Sequence, residues 1–525
     1  MSRLKKYAIR AGIVVLVLAG LAVLLVGPWP TYSKGFENAG YYKKALAAIQ
    51  KNGAEARITG SPGQLLAGWG ASLITPPTLV PMAGYGDRRG KPAEGVHDDL
   101  FVKALALSDG QDVAVIVGAD ILLVPENVAE LVREAVAKQT PLTANSLYFT
   151  ASHTHDSVGA FGPGLVAKIS AGKYQPDIPP FLADAFTTAI IKAYNSLGPA
   201  KLANGNVDAP EFIRNRVREA PVDTELSYML VEKDSGERCY VVNYSAHPTT
   251  VGGDFMLYTG EYPGFLQRAL EREGAAAMYV GGALGSSGPR APEGASDVDR
   301  AQAMGEALAK RVLDASVQPQ FRTNLDIAAV GVGFDLPPFQ LRLSPRWRLS
   351  PFLPPILGVD RDGWMHAVRI GDILLVGAPG DFSGEISLKW KKWAAERGYT
   401  MWTSSFSADY AGYISPDQYY DDADAVGEYE TGLMSWTGPH QEAFFTALME
   451  HLVEAVGPAQ KPTATSQAAQ ENAAQENAAQ ENAAHENAAQ ENAAHENAAQ
   501  ENAAQENAAQ ENAAQPGETV TANAG

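Results

Sequence analysis

One cysteine, Cys239, in 525 residues rules out an intrachain disulfide, so a folded body must hold together through its core. Basic residues are scarce as well: 41 Lys and Arg stand against 60 Asp and Glu, a net charge of −19, and no basic stripe offsets it. A surface of that sign repels phosphates, which excludes nucleic acid as an expected partner. From Ala468 to Gln515 the chain lacks any apolar side chain larger than alanine, being nine AAQEN or AAHEN units and a final AAQ. Such a stretch cannot supply a packed core, and five residues per unit advance about 140° on a helix, so like residues form no stripe. Residues 459–525 are therefore expected to be a disordered or partly helical low-complexity tail. Ten glutamates and one lysine lie in it, close to half of the net negative charge.

Long apolar runs are also missing, with one exception. Ala11 to Val26 carries no charge, follows Arg3, Lys5, Lys6 and Arg10, and precedes GPWPTYS. No small-x-small cleavage site follows it, and Cys239 is too distant to be a lipidated N-terminal cysteine. Gly27 to Trp29 extend the run towards the length a bilayer core needs. Residues 1–30 therefore read as an uncleaved signal anchor rather than a cleaved signal peptide, and the positive-inside rule puts the body outside the cytoplasm. The expectation is a membrane-anchored, extracytoplasmic protein, with the membrane as one partner, a linker over 31–60 and a folded domain over 61–458.

Within the body one theme recurs, a β-branched apolar run that stops at a polar or glycine-rich turn. DVAVIVGADILLV (Asp112 to Val124) reads as a buried strand, followed by a helix from about Glu126 with Val128, Leu131, Val132 and Val136 on one face. SLYFTAS (Ser146 to Ser152) is the next strand, completing a β-α-β unit. CYVVNYSA, AAMYVGGA, IGDILLVGAP and YTMWTSSFS repeat the pattern, with helical stretches between them. The fold class is α/β, a mixed β-sheet core flanked by helices. Leu336 to Pro355, rich in proline with Phe, Trp and Leu among them, suits a long surface loop that could face a membrane.

Ligands of α/β sheets sit at the carboxyl ends of strands, and here those ends carry chemistry. SLYFTAS runs into His153 and His155, CYVVNYSA into His247, IGDILLVGAP into Asp381 and YTMWTSSFS towards Tyr413. Imidazoles with a carboxylate are the ligand set of a catalytic zinc. Each piece also has a plainer reading: the His-x-His as a polar core pair, His247 as a turn before Pro248, Asp381 as a helix N-cap, and Tyr413 as a packing aromatic.

The order of the motifs resembles the N-terminal catalytic domain of the neutral, or non-lysosomal, ceramidase family. The likeness runs through LITPPTLVPMAGYG, EGVHDDLFVKALAL, ASHTHDSVGAFGPG, IRNRVREAPVD, NYSAHPTT, GEYPGFL, APGDFSG, DYAGYISPDQY and YETGLMSWTGPH, from about Ser61 to Val456. It implies a ceramidase-like domain with one Zn2+ held by His153, His247, Asp381 and Tyr413, His155 beside the metal as a proton carrier, Arg216 facing the reacting carbonyl and Tyr429 stabilising the oxyanion. It further implies hydrolysis of the N-acyl amide of a ceramide-like lipid by a zinc-activated water.

Two departures stand out. The family has glutamate where this chain has Asp381, with Glu385 one helical turn on as an alternative carboxylate. It also has a Ser-Asn pair where this chain has Gly282 and Ala283, with Ser286 and Ser287 nearby. The family's C-terminal β-sandwich has no counterpart, its place being taken by the repeats. The alternatives are a zinc hydrolase of another acyl ester, lactone or envelope amide, and a metal- or lipid-binding relative without catalysis.

Overall fold

The computed structural model describes residues 3–56, 62–359, 361–422, 428 and 430–458. Eight strands form one sheet: β1 (Leu66–Leu73), β2 (Phe101–Ser108), β3 (Val113–Ala119), β4 (Leu147–Ala151), β5 (Gly198–Asp208), β6 (Glu225–Lys233), β7 (Arg238–Tyr244) and β8 (Ala276–Gly281). Their spatial order is β8-β7-β6-β5-β1-β2-β3-β4. A second sheet holds β9 (Ile327–Asp335), β10 (Asp362–Ile370), β11 (Ile373–Gly377) and β12 (Thr400–Ser404) in chain order.

Both faces of each sheet are covered, which is why the strands read as continuous apolar runs. Leu107, Ile116, Val241 and Val280 of the large sheet pack against Ile327, Val368, Leu375 and Trp402 of the small one. Their strand neighbours, pointing the other way with period two, receive helices. The helices of more than two turns, in chain order, are α1 (Arg3–Leu25), α2 (Gly40–Glu55), α3 (Glu126–Ala137), α4 (Ile178–Asn195), α5 (Glu261–Arg272), α6 (Asp297–Ala315), α7 (Gly384–Ala395) and α8 (Gln441–Ala455). Helices α3 and α4 cover β2 to β4, α5 and α6 cover β6 to β8, and α2, α7 and α8 cover the small sheet. The result is a four-layer sandwich of helices, sheet, sheet and helices.

The expected β-α-β unit is present as β3-α3-β4, with Val115 to Ala119 pairing parallel to Leu147 to Ala151. Val128, Val132 and Val136 of α3 are buried as expected, whereas Leu131 faces out with 40% of its surface exposed. The sheets are mixed but mainly antiparallel. Parallel pairs occur at β3/β4, β7/β8 and β11/β12, always at a sheet edge. The large sheet curls until its edge strands approach one another: a Cβ on Gly281, ending β8, would lie 2.5 Å from the carbonyl oxygen of Ala151, ending β4. Only glycine permits that approach. The carboxyl ends of the parallel pairs are thereby gathered on one side.

The membrane anchor requires correction. Helix α1 forms, but among the described residues no helix is long and apolar enough to cross a membrane. Its uncharged part, Ala11 to Leu25, rises only about 22 Å at 1.5 Å per residue, short of the roughly 30 Å of a hydrocarbon core. Gly27 to Trp29, which the sequence reading added to the span, are not helical. Trp29 and Pro30 instead pair antiparallel with Arg348 and Trp347 of the body. The proline-rich stretch is thus partly ordered as a small ribbon, with Leu343, Trp347 and Phe352 exposed. The segment expected as a linker carries α2, whose Tyr42, Ala45 and Ile49 are buried over the small sheet. The repeat tail lies outside the described residues.

Candidate metal centre

Strand β4 ends one residue before Ser152 and His153, and the backbone turns sharply there: His153 sits at φ 65°, a left-handed conformation costly for a residue with a Cβ. Its amide donates to Ile121 O at 3.0 Å, and its Nδ1 bonds Leu122 O beyond β3. The ring stacks on Phe406, after β12, at 4.0 Å. His247, after β7, donates its amide to Ser287 O and places Nδ1 3.2 Å from Leu284 O. Carbonyls at both Nδ1 positions require Nδ1–H, which leaves the Nε2 lone pairs of His153 and His247 bare and pointing inward.

The Nε2 of His155 lies 3.3 Å from that of His153 and 2.9 Å from that of His247. One ligand atom from each of the three residues falls within 4.8 Å of the others. Burial drives all three towards the neutral form: His153 is pushed down to about 3, and His155 and His247 well below the usual imidazole range, with the Arg216 charge adding to the effect. A neutral His155 meets these lone pairs in one of two ways: with its proton on Nε2 it donates to them, and with its proton on Nδ1 it turns a third lone pair to a cation held between them. The Nδ1 of His155 is buried without a hydrogen-bond partner, as is Oδ1 of Asp381. These donors suit a divalent transition metal, and zinc accepts such a set.

The other expected ligands are near but arranged differently. Asp381 and Tyr413 pair in a short parallel ribbon after β11 and β12. Burial holds the Asp381 carboxyl up at about 7, against the pull of Arg216 and of a hydrogen bond from Tyr413. Among the described residues the Asp381 carboxylate is not part of the 4.8 Å group, whereas His155, expected as a proton carrier, is. The arm of Asp381 is one methylene shorter than a glutamate's. Glu385 does not take its place, since it accepts from the Tyr419 hydroxyl at 2.9 Å and faces Arg218 at 3.8 Å. Arg216 donates to Gly285 O at 2.9 and 3.1 Å and to the Tyr413 hydroxyl at 3.0 Å. Ser286 Oγ accepts from Gly384 N at 3.0 Å, and Ser287 Oγ is buried without a partner. Tyr429 lies outside the described residues.

Two buried ions missed by the sequence reading hold the imidazole loops. Arg88 is 3% exposed and donates to the carbonyls of His155, Gly253 and Phe255 and to the Asp156 carboxylate. Its guanidinium also lies over Tyr85, whose ring is 4.8 Å from that of His155. In the same turn Gly84 adopts φ 113°, and a Cβ there would stand 2.6 Å from the His155 Cβ. Glu261 is fully buried and accepts from the amides of Thr250, Val251 and Tyr262, fixing the chain just after His247. Burial raises the Glu261 carboxyl to about 7. The signal available in the sequence was the charge itself, Arg88 in GYGDRR and Asp156 in HTHD, where burial could not be seen.

With Arg88 and Asp156 both solvent-free, Arg88→Met strands a carboxylate in the interior. It is expected to cost about 3–5 kcal/mol of stability, read by denaturant unfolding. A loss below about 1 kcal/mol would show that the pair does not hold the loop.

A family model described as neutral/alkaline non-lysosomal ceramidase, N-terminal, matches residues 65–279. No curated protein matches the chain. Among solved structures, a neutral ceramidase from Pseudomonas aeruginosa is similar at 18% identity, covering 76% of each chain with a TM-score of 0.64. A ceramidase complexed with C2 is similar at 16% identity over 76% of this chain and 77% of that one, also with a TM-score of 0.64. The likeness to the neutral ceramidases read from the motifs is thus borne out, by the family model over residues 65–279 and in fold over the wider body. The family match takes in His153, His155, Arg216 and His247 and stops before Asp381 and Tyr413.

Proposed function

We propose that the protein is a metal-dependent amidohydrolase that cleaves the N-acyl amide of a ceramide-like lipid. The observation that carries this reading is that three neutral imidazoles bring one ring nitrogen each within 4.8 Å of the others, with carbonyls at Nδ1 turning the Nε2 lone pairs of His153 and His247 inward. The family resemblance supports the substrate class. His153 and His247 would hold the ion, with Asp381, Tyr413 and His155 as the remaining candidates around it, and zinc as the metal the donors favour. When bound, such an ion supplies Lewis acidity at the acyl carbonyl and acidifies water.

The chain's own groups have separable tasks. Arg216, pinned by Gly285 O, keeps a positive charge against the Tyr413 hydroxyl, where charge on an acyl oxygen could be met. Tyr429 is the second candidate for that task. His155, between His153 and His247, has two roles open to it, a further nitrogen ligand of the ion or, off the ion, the carrier of a proton to the leaving amine. Phe406 and Tyr85 wall the imidazoles.

Release of fatty acid from a fluorescent ceramide by the purified protein is the test. Turnover is expected with metal, loss on chelation, and recovery on adding back zinc. Turnover that persists fully after the metal has been stripped to below one-tenth occupancy would overturn the reading.

A further inference from the structure

Two residues after Arg216, Arg218 occupies a setting the sequence gave no reason to single out. Its guanidinium lies 3.7 Å from the centre of the Tyr419 ring and meets three carboxylates: Glu428, Glu430 at 3.2 Å and Glu385 at 3.8 Å. The side chains of Glu430 and Glu385 are 1% and 10% exposed. One guanidinium cannot satisfy three carboxylates. Oε1 of Glu430 and Oε1 of Glu385 are both buried without a hydrogen-bond partner, the latter meeting Arg218 only as an ion pair at 3.8 Å. A buried acceptor left unmet costs about 1–3 kcal/mol, so two around one guanidinium leave capacity for donors from outside the chain.

The place is next to the metal centre. Arg216 reaches the Tyr413 hydroxyl, Ser415 of the same segment donates to the backbone carbonyl of Glu430, and the charges of Arg216 and Asp381 both act on the Glu430 carboxyl. Burial holds that carboxyl up at about 7. Three carboxylates against one guanidinium disfavour an anionic ligand. An uncleaved N-acyl amino alcohol has donors at its amide N–H and its hydroxyl groups; the amide belongs at the reacting centre, which leaves the hydroxyls for this place.

We infer that Glu385 and Glu430, held in place by Arg218, form a subsite whose Oε1 atoms, unmet by any hydrogen bond, accept from the hydroxyls of an N-acyl amino alcohol. This deepens the proposed function and rests on it for the amide. A site built to hydrogen-bond a hydroxyl discriminates strongly against the analogue that lacks it, because the buried acceptors are then left unpaired.

The experiment compares two amides of the same acyl chain, one on a long-chain 2-amino-1,3-diol and one on a long-chain alkylamine without hydroxyls. Wild type is expected to favour the diol amide by about 100-fold in kcat/KM. Glu430→Gln and Glu385→Gln are each expected to reduce that ratio at least tenfold, mainly through KM for the diol amide. An unchanged ratio in both variants, with thermal unfolding showing them folded, overturns the subsite. Calorimetric titration of the N-sulfonyl amino diol, a neutral ligand with no amide to cleave, into wild type and the two variants separates this from the function itself. If wild type cleaves neither amide, the amidase reading fails, yet tenfold weaker binding of the diol by the variants upholds the subsite. Equal binding, or no binding to wild type, overturns it.

Discussion

A His153→Ala, His247→Ala double variant is expected to lose its bound metal entirely and to lower amide turnover by on the order of 10³-fold or more, some 4 kcal/mol of barrier. Both imidazoles offer Nε2 lone pairs because Leu122 O and Leu284 O occupy their Nδ1 sides. No other His, Cys, Asp or Glu among the described residues joins His155 in the same group once they are gone. A single imidazole binds a divalent ion weakly in water, so the remaining site should empty on dialysis. Metal analysis of the purified protein is the direct reading, and full occupancy in the double variant would refute the site. His155→Ala distinguishes the two roles open to that residue. With its Nε2 inside the 4.8 Å group it is expected to lower metal affinity at least tenfold, whereas a proton carrier outside the coordination sphere would leave occupancy intact.

Strand ends were legible in the sequence because buried strands announce themselves as apolar runs, and the polar residue that stops each run must emerge at an edge. His153, His247 and Asp381 were found in that way, and the fold delivers them to one side because the parallel pairs β3/β4, β7/β8 and β11/β12 all finish there. What local pattern could not carry was the arrangement between segments. Whether an imidazole two residues from another points at the same centre depends on the φ of His153 and on Gly84 pressing against His155. No local pattern marks Arg88, Asp156, Glu261 and Glu430 as buried, yet all four are, and their partners lie 68 residues away for Arg88 with Asp156 and more than 200 for Arg218 with Glu430. The N-terminal run failed for a related reason. Hydropathy counts Gly27 to Trp29 as part of the span, but Pro30 and Trp29 find strand partners in Trp347 and Arg348. Helix α2, poor in large apolar residues along most of its length, looked like a linker because three buried side chains suffice to seat it.

Arg216→Met is expected to keep the metal and the fold while lowering kcat by about 10²–10³, or roughly 2.7–4 kcal/mol, the effect of removing one well-placed group from an oxyanion site. Three features make Arg216 the residue to test. Its guanidinium is fixed by two bonds to Gly285 O, so it does not reorganise as charge develops. Its third bond goes to the Tyr413 hydroxyl, which couples the phenol to the positive charge. Its charge also acts on His153, His155, His247 and Asp381, opposing protonation of the imidazoles and of the carboxylate alike. Methionine keeps much of the side chain's volume and removes the charge and the donors. Arg216→Lys would restore the charge without the fork that spans Gly285 and Tyr413, and should recover less than a tenth of the lost rate. If kcat stayed within threefold of wild type and only KM rose, Arg216 would be a substrate-binding group that does not meet the developing charge, and the oxyanion role would fall to other donors around the centre.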